Sequence, residues 1–422
     1  MNVLGIIAEY NPFHKGHAYQ IETLKEQTHA DYVIIAMSGN FVQRGAPALV
    51  DKYTRTRMAL LNGADLVLEL PVLYAAASAE YFAKGGVSLL HSTGIVTHLG
   101  FGTESNSLSV LQELSDILLA NPPAFQNILK QELKNGSAFP TARAKALEAV
   151  CTASGQSDTV QLKNVLASPN NILAIEYLKA LSSLSSPVQP VSLLRKGQGY
   201  HDTEQAEGFC SASAIRSCLR DCASATPGSF TLDPVWGSSA MPDTAFKLLS
   251  GYPHHFLFED DFSPLVHYKL LTESAEALAD YADSSAELAN RMYHARHSFT
   301  SWTDFCGLLK TKNTTYTRIS RLLLHLMLNI KTMDYTFAKD VPCSYLRVLG
   351  FRKESASLLS SIKGNGNAPL ITSISDADRE LSTKDLSLLH LDITASDIYH
   401  LVLTSKGSRN LLNDYRHPLV IV

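Results

Sequence analysis

The chain has 422 residues, 45% hydrophobic and 18% charged, with a net charge of −4. This composition suits a globular protein of two or three domains and excludes a surface that is positive all over, so any nucleic-acid site must be a local patch. The cysteines Cys151, Cys210, Cys218, Cys222, Cys306 and Cys343 form no C-x-x-C pair; reduced thiols, no zinc site, no membrane segment and a cytoplasmic setting are expected.

The first half alternates apolar strands with helical segments. Strands are expected at Val3–Ala8, Tyr32–Met37, Asp65–Leu70 (stopped by Pro71), Val96–Gly102 and Val191–Leu194. Helical patterns fall between several of them, near Tyr53–Leu61 and Ser78–Leu90. This alternation predicts an α/β fold with a doubly wound parallel sheet and a ligand at the carboxyl ends of the strands. Residues 108–166 read as a helical insertion, whose Lys130, Lys134, Arg143 and Lys145 are interspersed with Glu132 and Glu148. Beyond about Pro234 the alternation fades. Residues 1–232 are therefore expected to form the nucleotide-binding domain, and 233–422 a mainly helical domain ending in the apolar tail Pro418–Val422.

The chemistry concentrates in the turn after the first strand, Glu9-Tyr10-Asn11-Pro12-Phe13-His14-Lys15-Gly16-His17. Asn-Pro punctuates a strand-to-helix turn. Histidines three residues apart on a first helical turn share a face, beside amides and a macrodipole that favour phosphate. His14 and His17 are therefore the candidate catalytic pair. Four later segments are candidates to converge on them. Ser38 and Gly39 follow the second strand, and Gly102 follows the fourth, where a ring could lie on bare backbone. Asn171 sits at a helix start after Ser168-Pro169-Asn170. Ser211 and Ser213 open a helix that carries Arg216, two hydroxyls and a guanidinium suited to a second phosphate cradle. Arg195 follows the fifth strand.

His-x-Gly-His after a strand, with Ser-x-Ser-x-Ile-Arg much later, resembles the nucleotidyltransferase superfamily of class I aminoacyl-tRNA synthetases and small adenylyltransferases. Longer strings narrow the resemblance: the Glu9–His17 turn, Met37-Ser38-Gly39-Asn40-Phe41-Val42-Gln43-Arg44-Gly45, Ser168-Pro169-Asn170-Asn171-Ile172-Leu173, Gly199-Tyr200-His201-Asp202, Tyr316–His325 and Tyr345–Phe351. Together they resemble the tRNA(Met) cytidine acetate ligases, with Lys15 where that family often has Asn. The resemblance implies an HxGH-type nucleotidyltransferase domain that forms acetyl-adenylate from acetate and ATP. The acetyl group then passes to the 4-amino group of the wobble cytidine of elongator tRNA(Met). It implies that His14 and His17 stabilise charge on the α-phosphate, and that Ser211, Ser213 and Arg216 hold the β- and γ-phosphates. It also implies that Ile7, Ala8, Glu9, Tyr10, Asn11, Pro12, Phe13, Lys15 and Gly16 line the ATP site with Ser38, Gly39, Gly102, Asn171 and Arg195. Magnesium is expected to help neutralise the triphosphate, yet no carboxylate cluster identifies its ligands; Glu9 and Asp51 are the nearest candidates.

The helical half adds a second signal. From Phe305 to Met333 there is no Asp or Glu, while Lys310, Lys312, Arg318, Arg321 and Lys331 are present. On a helix from Tyr316, Ile319, Leu322, Leu323, Leu326 and Ile330 share one face, with Arg318, Arg321 and His325 on the adjacent stripe. Lys310, Lys312, Arg318 and Arg321 are thus expected to contact tRNA phosphates. A small-molecule adenylyltransferase would keep His14, His17 and Arg216 without needing this stretch. A non-enzymatic RNA-binding protein would not need the intact His-x-Gly-His.

Overall fold

The computed structural model describes residues 1–105, 107–154, 159–195, 210–222, 234–335 and 343–422. The string Gly199-Tyr200-His201-Asp202 lies outside them. Strand β1 (Val3–Ala8) leads into helix α1 (Lys15–Gln27), then β2 (Tyr32–Ser38) and a hairpin of β3 (Phe41–Val42) and β4 (Ala46–Pro47). Next in the chain are helix α2 (Lys52–Leu60), β5 (Leu66–Leu70), α3 (Val72–Ala75), α4 (Ala79–Ser92) and β6 (His98–Thr103). Four helices, α5 (Leu108–Ala120), α6 (Pro123–Lys134), α7 (Phe139–Ser154) and α8 (Thr159–Ala167), then α9 (Pro169–Ser183), separate β6 from β7 (Gln189–Leu194).

In the main sheet, β1 pairs in parallel with β2 on one side and β6 on the other. β2 continues to β5, and β6 to β7, both in parallel. The chain thus winds outward from β1 in both directions, leaving a crevice at the carboxyl ends of β1 and β6. Alternate residues of β2 enter opposite layers: Val33, Ile35 and Met37 pack with α1 and α2, Ile34 and Ala36 with α4 and beyond. Burial on both faces explains why these strands read as continuous apolar runs.

After α10 (Ala212–Cys222) come α11 (Pro234–Ala240), α12 (Asp243–Ser250), α13 (Ser263–Thr272), α14 (Ala275–Ala279), α15 (Ala286–Ala295), α16 (Trp302–Leu309) and α17 (Tyr316–Leu328). Residues 233–422 are mainly helical, as expected, and near their end they add three strands to the main sheet. β8 (Leu346–Phe351) pairs antiparallel with β5, and β9 (Leu370–Ile371) and β10 (Val420–Ile421) pair in parallel with β8. The apolar tail is therefore a sheet strand, and the sheet order is β10-β8-β5-β2-β1-β6-β7. The doubly wound parallel sheet expected from the first half is present, and β8 joins it as an antiparallel neighbour of β5.

The physical reason is a buried ion-pair network. Arg347 on β8 stands opposite Glu69 on β5 and pairs with its carboxylate at 2.6 Å. Lys52 is wholly buried; its Nζ reaches Glu69 at 2.8 Å, Asp414 at 2.7 Å and Ser396 Oγ at 3.0 Å. Asp414 also pairs with Arg347 at 3.0 Å and accepts from Tyr53 Oη at 3.0 Å. Despite burial, the Lys52 and Arg347 cations hold its carboxyl well below the usual carboxylate range. Gly39 belongs to this network: a Cβ there would lie 2.5 Å from Glu69 Oε1. Removing one partner of such a set strands an unpaired buried charge. Lys52→Met is expected to lower unfolding free energy by about 3–5 kcal/mol, read by urea titration; a loss under about 1 kcal/mol would mean that the carboxylates are satisfied without it.

Candidate active site

The site begins where β1 ends. Tyr10 adopts a left-handed backbone conformation, φ +48°, unusual for a bulky residue. The chain then turns through Asn11, Pro12 and Phe13, all buried. Asn11 Oδ1 accepts from Leu49 N at 2.8 Å, and Phe13 is fully buried against the Tyr10 ring at 4.8 Å. These side chains shape the turn. His14 is the N-cap residue of α1, so the first amides of that helix, at Lys15 and Gly16, lack intrahelical acceptors.

The two imidazoles stack, with centroids 3.6 Å apart and planes 20° from parallel. His14 N–H donates to His17 Nδ1 at 3.2 Å. The Tyr10 ring meets His17 edge-on at 4.8 Å. Burial, then the positive charges of Arg195 and Arg216, pushes the His14 pKa down to about 3. Burial, His14 and Arg195 hold His17 well below its ordinary value. Both rings are therefore neutral near pH 7. With its Nδ1 accepting, neutral His17 carries its proton on Nε2, a donor directed away from its own backbone contact. His14 Nδ1 is buried with no partner among the described residues.

Arg216 reaches across from α10. Its Nη1 donates to Asn11 O at 2.6 Å and its Nη2 to Ser213 Oγ at 3.2 Å. Ser211 Oγ accepts from Ala214 N at 3.1 Å, capping α10. Arg195 donates to Asn170 Oδ1 at 3.5 Å, and its stem lies across Gly102, where a Cβ would meet Arg195 Cγ at 3.2 Å. Ser38, at the end of β2, is fully buried, and its Oγ has no partner among the described residues. Ile7, Ala8 and Glu9 run along the same crevice, half-buried. The histidines, Arg195, Ser213 and Arg216 thus converge from the ends of β1 and β7 and from α10 on the start of α1.

Asn171 and Gly39 also have partners within the protein. Asn171 is buried; its Oδ1 accepts from Glu104 N at 2.9 Å and its Nδ2 donates to Val165 O at 3.3 Å. Glu104 in turn accepts from Asn171 N at 3.0 Å, so the pair fixes the loop after β6 to α9. Gly39 makes room for the Glu69 carboxylate. The basic stripe expected on α17 is engaged within the protein. Arg321 is buried and holds Asp283 with two bonds of 2.8 and 2.9 Å; Arg318 Nε donates to Asp283 O at 2.9 Å. His325 is buried between Ala76 O and Ala282 O, 2.9 and 3.1 Å away. Helical periodicity could not reveal an acid on a distant loop. Lys310 and Lys312 are exposed, away from the imidazole pair in the chain and on a different surface turn.

Arg55 is a further member of the site that sequence reasoning misses. It is fully buried, and its guanidinium donates to Val50 O at 3.1 Å, Glu9 O at 2.7 Å, Ser38 O at 3.0 Å and Gly39 O. It clamps the carboxyl ends of β1 and β2, where the site is built. Glu9 Oε1 accepts from Gln43 N at 2.9 Å, tying the β3–β4 hairpin to the same place.

Among the described residues no three His, Cys, Asp or Glu side chains are grouped to hold a metal. Glu9 is bonded to Gln43, and Asp51 caps α2 through Tyr53 N and Thr54 N. The described residues do not fit a protein-built magnesium site. Among the described residues no helix is long and apolar enough to cross a membrane.

The depressed histidines make stability pH-dependent. Between the unfolded value near 6.5 and the folded value, the unfolded chain binds more protons, so stability falls as pH falls. The His14 contribution should be about 1.4 kcal/mol per pH unit from pH 6 to 4. His14→Gln should flatten the ligand-free unfolding profile there by that slope; an unchanged slope would show that His14 is not held neutral.

The chain matches the HIGH Nucleotidyl Transferase family over residues 1–414. It is 38% identical to a tRNA(Met) cytidine acetate ligase of Halothermothrix orenii, covering all of this chain and 99% of that one. The corresponding ligase of Clostridium perfringens is 39% identical over 94% of this chain and 95% of its own. The apo crystal structure of Thermotoga maritima TmcAL superposes with a TM-score of 0.93 at 29% identity, covering both chains fully. A second form of that protein, bound with alpha-thio ATP, gives 0.89 at 30% identity, covering 100% of this chain and 99% of its own. With a match through nearly the whole sheet and relatives aligned end to end, this chain belongs to the HIGH nucleotidyl transferases and, within them, to the tRNA(Met) cytidine acetate ligase family.

Proposed function

We propose that this protein activates acetate with ATP and transfers the acetyl group to the wobble cytidine of elongator tRNA(Met). The observation that carries the reading is the stacked, neutral histidine pair at the α1 N-terminus, flanked by Arg195 and Arg216. A relative of the same fold is described as bound with alpha-thio ATP, which supports a nucleotide in this crevice.

Acetate is ionised at neutral pH and needs no general base. One carboxylate oxygen attacks the α-phosphorus, and the bond from phosphorus to the bridging oxygen of pyrophosphate breaks. The protein's work is positioning and stabilisation of charge on the phosphoryl oxygens. His17 Nε2–H and the free amides at the start of α1 donate to the α-phosphate. Arg216 and Ser213 receive the outer phosphates, where the charge of departing pyrophosphate accumulates. Because the imidazoles enter neutral and stacked, they donate without first being reoriented. In the second step the cytidine 4-amino nitrogen attacks the acetyl carbonyl carbon, AMP leaves with the former carboxylate oxygen, and the nitrogen loses a proton. Acetate and tRNA are the proposed co-substrates; the target base must be unstacked for its amino group to be reached.

His14→Ala and His17→Ala should each slow acetate-dependent exchange of pyrophosphate into ATP about 100-fold, the usual cost of one preorganised donor, roughly 3 kcal/mol. Wild-type exchange by a folded variant would remove that residue from the chemistry. Arg216→Ala should weaken ATP far more than AMP, since AMP lacks the outer phosphates. Equal losses in competition binding would place Arg216 elsewhere on the nucleotide.

A further inference from the structure

With Arg318 and Arg321 engaged on Asp283, the basic character of the helical half has to be sought elsewhere. From Leu288 to Met333 the only acidic residue is Asp304, against Arg291, Arg296, Lys310, Lys312, Arg318, Arg321 and Lys331. Lys331 is also engaged, with its ammonium 3.2 Å from the centre of the Tyr281 ring. The remaining four cations lie on two elements that touch. The Arg291 guanidinium on α15 donates to Leu309 O at the end of α16, bringing α15 alongside the turn that carries Lys310 and Lys312. His294 and His297 are at the α15 end of this ridge, and His297 is exposed. A shallow groove runs between α15 and α16, with Asn290, Arg291, His294 and the 57% exposed Leu308 in its walls.

The chemistry of the ridge fits RNA. Lys310 and Lys312 are exposed and form no ion pair among the described residues, so their charges are available to phosphates. The Arg296 guanidinium lies 3.7 Å from the centre of the half-buried Tyr293 ring, a planar cation already stacked on an aromatic. Asp304 is occupied by Thr300 Oγ1 at 3.0 Å at the start of α16, one end of the helix away from the lysines. Glu287, on the first turn of α15, is the acidic limit of the groove.

The ridge is also coupled to the active site. The turn that carries Lys310 and Lys312 leads into α17, whose Ser320 Oγ donates to Gly45 O at 2.8 Å. From Thr315 to Ser320 the rise is roughly 8 Å at 1.5 Å per residue. Gly45 closes the β3–β4 hairpin, whose Gln43 binds Glu9 beside the histidine turn.

We infer that the α15–α16 ridge, through Lys310, Lys312, Arg296, His294 and His297, is the surface that binds the phosphate backbone of the tRNA. This rests on the acetyl-transfer reading. Only the exposed lysines are altered in its test, because Arg291 and Arg296 also bond the backbone. Lys310→Glu/Lys312→Glu and wild type are compared for binding of a tRNA(Met) transcript across salt concentration, and for pyrophosphate exchange with acetate and ATP. The inference expects at least a tenfold weaker affinity near 0.1 M salt and a salt slope reduced by about two, each phosphate contact contributing about one. Exchange should be unchanged, which shows an intact nucleotide site. Equal affinity and slope for variant and wild type would overturn the ridge and leave the acetyl-transfer reading standing. Failure of wild type to bind any tRNA would overturn both.

Discussion

Everything in this molecule hangs on two cations and two carboxylates enclosed together. Lys52, Arg347, Glu69 and Asp414 come from α2, β8, β5 and the loop before β10. Burying four charges is costly, and their mutual attraction offsets that cost only when all four are in place. The set therefore acts as a fastener between the nucleotide-binding half of the sheet and the strands contributed much later in the chain. Asp392 sits at its edge: burial and the Glu69 charge push its pKa up to about 7, while it accepts from Val72 N and Tyr345 Oη.

The fastener lies next to the histidine turn. Lys52 and Arg55 are less than one helical turn apart on α2; one enters the ionic cluster, the other cages the carbonyls of Glu9, Ser38 and Gly39. One short helix thereby fixes both the later strands of the sheet and the strand ends that frame the histidine turn. The histidines need such a frame. Neutral imidazoles pressed together beside two guanidinium groups persist because turn, helix start and Arg216 leave them little room to separate.

The parts legible in the sequence are those whose physics is local. Strands buried on both faces read as apolar runs, so β1, β2, β5, β6 and β7 are found there with small shifts at their ends. His14 and His17 are found because three residues on a helix suffice to put them together. β8 escapes as a sheet strand because Arg347 interrupts its apolar run, and the partner that makes an arginine tolerable there is Glu69. Arg321 looks free in the sequence because Asp283 lies 38 residues earlier. Gly39 looks like a ligand contact because glycine is ambiguous between room for a ligand and room for a neighbouring side chain. Arg55 carries no signal, since its acceptors are backbone carbonyls of three other segments.

The position of β10 bears on how the protein comes into being. A chain made from its N-terminus has Lys52 and Glu69 available long before Arg347, Asp414 or Val420 has been added. Until then Lys52 and Glu69 have only each other, and β5 presents an open edge. Closure depends on contacts between residues far apart in sequence, which slows the final folding step. Helix α2 carries both Arg55 at the crevice and Lys52 in that cluster, so the frame of the crevice is shared with the strands made last.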